Sequence, residues 1–237
     1  MNPVPAVYKR AAALSLLAAS LLSAGPARAI PLPFGVLTAL PGTTVGLEPQ
    51  LAGTVLDDPW RPFEFETTAG RVRGQIQSRV VRTLDDTLTF SWRIANDAGS
   101  AAPIPVFRVR KFDTPEAPDG LRADWRMDSV GDTAPLQAHA MNPHLFFFIF
   151  GDGSPNNPGL LPGTSSKVFF LDTEAKHYAL TADMDVFRYQ PPDYNGSGFL
   201  PTFAPAIPEP GTWALMALGM VPMLWLGRRA RHRAEAV

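Results

Sequence analysis

Between residues 30 and 207 the chain holds His139, His144 and His177 as its imidazoles. His139 and His144 stand five apart beside an Asn142-Pro143 turn. At that spacing they make a metal pair only with a third ligand, for which Asp152 and Asp172 are the carboxylates at hand. The simpler expectation is two surface histidines flanking a strand. Asp152-Gly153-Ser154-Pro155-Asn156 places oxygen side chains at alternate positions, as a calcium loop begins. Asp152, Ser154 and Asn156 are therefore a weak calcium candidate, which Asp172 or Asp183 would complete. Asn157 stands where such a loop has its glycine and Gly163 where it has its bidentate glutamate, so a turn is the better reading. Glu64 and Glu66 share one face if they lie on one strand, the arrangement a glycosidase pair would use. Two such carboxylates on an exposed strand are ordinarily solvated, and no catalytic residue or cofactor is assigned.

Other chemistries are excluded by composition. Cysteine is absent, which removes thiol catalysis and thiolate metal sites. There is no Gly-x-Ser-x-Gly elbow, no His-Glu-x-x-His pair and no phosphate-binding glycine loop. Residues 30–207 carry 14 basic and 20 acidic side chains, so nucleic acid is not an expected partner. The arginines are unevenly placed: Arg61 to Arg126 is net +2, and 127–207 is net −5. Arg71, Arg73, Arg79 and Arg93 fall on outward faces of one hairpin. There they either pair with neighbouring acids or bind an extracellular acidic polysaccharide through charge-assisted hydrogen bonds.

The elements that position these groups are strands. Val72, Ile76 and Val80 alternate with Arg71, Arg73, Gln75, Gln77 and Arg79. Leu88, Phe90, Trp92 and Ile94 alternate with Thr87, Thr89, Ser91 and Arg93, and Asp85-Asp86 makes the two runs a hairpin. The same period of two runs through Phe107–Arg110, Leu121–Asp128 and His177–Val186, each with one buried and one wet face. Leu145–Phe150 is continuously apolar and Lys167–Leu171 nearly so, as for central strands covered on both faces or strands at a sheet junction. Gly53–Asp57 and Phe63–Glu66 are weaker strands. The pattern predicts an all-β fold over 30–189, an antiparallel β-sandwich of jelly-roll or immunoglobulin-like topology. Residues 190–207, rich in proline and glycine, read as a linker without regular structure, reaching roughly 56 Å if extended.

The two ends carry address signals. Lys9 and Arg10, the apolar run Ala11–Ala24 and the small residues Ala27 and Ala29 form an N-terminal signal peptide over 1–29, with cleavage by signal peptidase expected after Ala29. At the other end, Pro208-Glu209-Pro210 precedes an apolar run, Thr212–Leu226, read as a single transmembrane helix. Its fifteen residues span about 22 Å of helix, short of a hydrocarbon core ~30 Å thick. Trp213 and Trp225 bracket it as interfacial aromatics. Arg228, Arg229, Arg231 and Arg233 follow as a basic membrane stop that keeps the tail inside. Proline on both sides of Glu209 holds that motif extended.

Residues 208–237 resemble the PEP-CTERM sorting signal of exopolysaccharide-producing Gram-negative bacteria. The resemblance rests on Pro208-Glu209-Pro210-Gly211-Thr212-Trp213-Ala214-Leu215, the helix and the arginine cluster. The end of the chain, through Glu235 to Val237, is slightly longer than is usual there. The resemblance implies recognition by exosortase, an integral-membrane processing enzyme, and cleavage near the motif. It further implies transient residence in the inner membrane and delivery to the cell envelope or extracellular matrix in a biofilm setting. The expected role is structural or adhesive rather than enzymatic, with a secreted carbohydrate-binding or carbohydrate-active protein as the alternative.

Overall fold

The computed structural model describes residues 29–114, 120–190 and 193–206. The chain divides into Met1–Pro205 and Ala206–Val237, and of the second unit only Ala206 is described. The residues before Ala29 expected to form a signal peptide, the Pro208-Glu209-Pro210 motif, the apolar run after it and the terminal arginines all lie outside the described residues. Among the described residues no helix is long and apolar enough to cross a membrane.

The described chain forms two seven-stranded sheets. The first contains β1 (Ile30–Pro31), β3 (Thr54–Asp57), β4 (Trp60–Thr67), β5 (Gly70–Arg82), β6 (Leu88–Asn96), β8 (Arg122–Trp125) and β11 (Phe169–Thr173). The second contains β2 (Leu37–Ala39), β7 (Val106–Arg110), β9 (Gln137–Asn142), β10 (Leu145–Ile149), β12 (Tyr178–Gln190), β13 (Asp193–Gly196) and β14 (Leu200–Pro205). The neighbour orders are β1-β8-β11-β6-β5-β3, with β4 also on β5, and β13-β12-β7-β10-β9-β2, with β14 also on β12. Pairing between these strands is antiparallel throughout.

The period of two decides which side chains meet. On β5 the inward row is Val72, Gly74, Ile76, Ser78 and Val80, all buried. Gly74 is required because a Cβ there would run into the Ala95 backbone carbonyl of β6 and meet the Phe63 ring of β4 at 2.7 Å. β6 adds Phe90, Trp92 and Ile94, and β11 adds Phe169 and Leu171. From the other sheet come Phe107 and Val109 of β7, Phe146 and Phe148 of β10, and Met184 and Val186 of β12. These form one core, so the two sheets make a sandwich. Its centre is aromatic: Trp92 lies 5.5 Å from Phe107, and Phe169 lies 4.7 Å from Phe148 and 5.0 Å edge-on from Phe107, ring centre to ring centre.

The hairpin turn falls where Asp85-Asp86 placed it, with Asp86 at φ +64°. Four expectations need correction. Residues 190–207 are not a structureless linker, because β13 and β14 pair with β12 within it. Pro201 and Pro205 are tolerated because β14 is bonded to β12 alone, leaving its other edge for residues that donate nothing. β10 is central, between β7 and β9, but only one of its faces is sealed. Phe146 and Phe148 are buried while Leu145, Phe147 and Ile149 are half-buried. The expected wet face of Leu121–Asp128 is covered at Asp124, which is fully buried, while Met127 on the expected dry face is 40% exposed. In β12, likewise, Leu180 is exposed and Asp185 is buried.

β14 is locked to the first sheet by a polar contact inside the core. The Trp92 indole donates to Thr202 Oγ1 at 3.0 Å, and Ser78 Oγ lies 2.7 Å from the same oxygen. Replacing Thr202 by Val leaves a buried N–H and a buried hydroxyl without partner. The expected cost is about 1–3 kcal/mol, read as a lower urea midpoint with unchanged slope, whereas Thr202→Ser should retain most of the stability. Equal midpoints for Thr202→Val and the parent would contradict this role of residues 200–205.

Candidate functional site: an arginine-lined groove

The outward face of the first sheet is built row by row by its register. Gln77 lies opposite Arg93, Arg79 opposite Ser91 and Val81 opposite Thr89. Across the next strand, Phe170 follows Ser91 and Asp172 follows Thr89, and on β8 these rows end at Asp124 and Arg122. Arg126, just past β8, is held beside Val168 by its backbone N–H at 2.7 Å. Arg79, Arg93 and Arg126 thus line one groove with Gln77, Ser129, Val130 and Val168, enclosing a volume of about 280 Å³. Arg79, Arg126 and Val168 also line a second hollow of about 50 Å³ that runs on to Leu51, Thr89 and Phe170.

The three guanidinium groups are held differently. Arg79 forms a fork with Asp58, Nε to Oδ1 at 3.0 Å and Nη2 to Oδ2 at 2.8 Å. Gln77 donates to the same Oδ1 at 2.6 Å. Arg126 forks Asp128 at 2.7 and 3.0 Å. Arg93 has no such acid among the described residues. Its Nη2 donates to Ser165 Oγ at 2.9 Å, its guanidinium stands 5.9 Å from the Trp60 ring centre, and its buried Nε has no hydrogen-bond partner. Planar donors with unspent N–H groups in a groove suit a carboxylate or other oxyanion, approached edge-on. Arg93 is the position where an incoming anion displaces no protein carboxylate.

At the other end of this face the chain covers the sheet. Thr43 lies along β8, its N–H on Trp125 O at 2.9 Å and its carbonyl accepting from Met127 at 2.8 Å. Residues 44–51 then fold over Phe170, with Leu51 and Val45 packed on it. Gly42 starts this crossing at φ +85°, and a Cβ there would meet the Trp125 ring at 2.5 Å. Its N–H donates to Asp124 Oδ1 at 2.8 Å, as does that of Trp125 at 2.8 Å. Burial pushes Asp124 up to about 6 against the pull of those two N–H groups. Asp172 is also pushed up to about 6 by burial, with the Thr89 hydroxyl and Arg122 acting the other way.

The other sequence candidates are dispersed. Glu64 and Glu66 do share a face of β4, exposed, and both pair with Arg71, at 3.2 and 2.8 Å. Arg73 pairs with Asp97 at 3.5 Å. Arg71 and Arg73 therefore sit at the opposite end of β5 from the groove. His139 on β9 is half-buried and stacked on Phe147, while exposed His144 lies 2.5 Å from Asp113. Asp152 Oδ1 accepts from Ser154 N–H at 2.8 Å, and Ser154 Oγ from Asn157 N–H at 3.2 Å, so Asp152, Ser154 and Asn156 belong to a turn. Asp172 sits on the first sheet and Asp183 on the second, bonded to Lys111 at 2.9 Å. Among the described residues no three His, Cys, Asp or Glu side chains could hold a metal. Arg126 was absent from the sequence candidates, although the alternation Arg122, Asp124, Arg126 puts it on the same outward face. Comparison with protein-family models, curated proteins and solved structures finds no match to the chain.

Asp124 gives this face a pH signature. Its folded value lies above the ~3.9 of an unfolded aspartate, so its contribution to stability is fully present below about pH 4 and is lost as pH rises through about 6. Asp124→Asn keeps the acceptor and cannot ionise. Between pH 4 and pH 7 the stability difference should shift in the variant's favour by on the order of 2–3 kcal/mol, measured by urea unfolding. A difference constant with pH would contradict the assignment.

Proposed function

We propose that this is an exported adhesive protein, non-enzymatic, whose β-sandwich holds an acidic polysaccharide in the groove of Arg79, Arg93 and Arg126. The observation that carries this reading is Arg93, a guanidinium lining the groove that has no ion-pairing acid among the described residues. The two ends supply the setting: a leader removed after Ala29 by signal peptidase, and a tail similar to PEP-CTERM signals that exosortase processes at Pro208-Glu209-Pro210. The protein then passes through the inner membrane to the envelope or matrix. Immunoglobulin-like domains have seven to nine strands and jelly-rolls eight. We read this sandwich, with seven strands in each sheet, as an elaboration of one of those architectures.

Purified protein should bind a polyuronate in preference to neutral dextran, with affinity falling as salt rises. Arg93→Gln should weaken binding about tenfold or more, since a charge-assisted hydrogen bond is worth ~1.5–3 kcal/mol. Arg71→Gln should leave binding unchanged. Equal binding of polyuronate and dextran, or an Arg93→Gln variant that binds as the parent does, would contradict the proposal. The address is tested separately: Glu209→Ala should leave the protein in the inner-membrane fraction, and unchanged release would count against the sorting motif.

A further inference from the structure

The peptide bond that follows Ala29 lies at a buried corner of the fold. Ala29 is 2% exposed and packs with Leu51 and Phe170. Its carbonyl accepts from Nε of Arg122 at 2.9 Å and also from Nη2. The same Nη2 stands 3.4 Å from Glu48 Oε1. The Ile30 nitrogen is bonded to the Ala29 carbonyl carbon, so the scissile amide, Arg122 and Glu48 meet in one place. Glu48 is 1% exposed and its Oε2 is buried with no hydrogen-bond partner among the described residues.

Charge at this corner is unbalanced. Glu48 faces it from the covering loop, Arg122 and Asp124 from β8, Asp172 from β11 and Asp85 from the β5–β6 turn. Arg122 acts on both Glu48 and Asp172, Asp124 is held by backbone N–H groups alone among the described residues, and a buried carboxylate oxygen without a donor is costly. β1 itself brings no charge while the chain continues upstream of Ile30.

We propose that this corner is the receptor for the chain's own new N-terminus, the Ile30 α-ammonium docking on the Glu48 carboxylate once the leader is gone. The inference rests on the reading that the leader is removed after Ala29. Hydrolysis of the Ala29–Ile30 amide consumes one water. The Ala29 carboxylate departs with the leader, and the Ile30 amine takes up a proton and stays. Arg122, relieved of the Ala29 carbonyl, closes on Glu48 from the other side. One new positive charge enters a corner rich in carboxyls, and the N-terminal strand is fastened by the same event that releases the chain from its leader.

The test compares two chains ending at Val237, each released from an N-terminal fusion. One begins at Ile30 and the other retains Arg28-Ala29 ahead of it. Each is made with Glu48 and with Glu48→Gln. The chain beginning at Ile30 should melt about 2–4 °C higher. Its α-amine, followed by NMR titration of labelled Ile30, should titrate above the ordinary value of about 8. That stabilisation is present below the ordinary value and lost as pH rises through the raised folded one. Both differences should vanish in Glu48→Gln. Equal melting of the two Glu48 chains, or an α-amine at its ordinary value, overturns the proposal even if Glu48→Gln fails to fold. N-terminal sequencing of the exported protein reads the premise independently: a start at Ile30 supports it, and a start upstream of Ile30 overturns it.

Discussion

Everything in this molecule depends on the aromatic layer between its sheets. There is no cysteine to staple them, so the facing rings of Trp92, Phe107, Phe148 and Phe169 must hold the two layers together. Trp92 occupies the middle of that layer, 1% exposed. It brings a polar N–H into an apolar core, where an unpaired donor would cost more than its ring contacts return individually. Thr202 resolves this conflict and in doing so ties the last strand of the second sheet to the first. Residues 193–205 are therefore part of the sandwich, though their composition is that of a tether.

Committing one face of each sheet to this layer leaves the outward faces free to differ. On the second sheet two arginines of β7 are answered across the strand: Arg108 forks Asp185 at 2.9 and 2.6 Å, and Arg110 bonds Asp183 at 3.2 Å while stacking over Phe199. On the first sheet Glu64 and Glu66 answer Arg71 across the β4–β5 ladder, but around the groove the acids lie off the ladder. Asp58 precedes β4, Asp128 follows β8, and Arg93 has neither. The same face is covered at its other end by residues 44–51, which drives the carboxyls of Asp124 and Asp172 upward and buries Glu48. One register thus produces an open basic groove and a closed acidic corner side by side.

Much of this was legible in the sequence where large apolar residues alternate with polar ones. β5, β6, β7 and β12 were read from that signal, and Glu64 and Glu66 share a face because a strand has period two. The misses have physical causes. β9 was missed because its inward residues are Ala138 and Ala140, too small to mark a period. β14 was missed because Pro201 and Pro205 are breakers everywhere except on an edge. Asp124 looked wet because alternation says which face a residue takes and nothing about what later covers that face. Arg79 and Arg93 were visible as outward residues. What separates Arg93 from the others is the absence of an ion-pairing acid among the described residues, a property of the three-dimensional neighbourhood alone.

The claim on which the account turns is that the groove, and Arg93 in particular, meets the ligand. It is tested most directly by following the arginine side-chain Nε–Hε resonances during titration with a uronate oligosaccharide. The Arg93 signal should move first, followed by those of Arg79 and Arg126, while those of Arg108 and Arg110 stay in place. Movement confined to Arg108 and Arg110, with Arg93 unchanged at saturation, would contradict it.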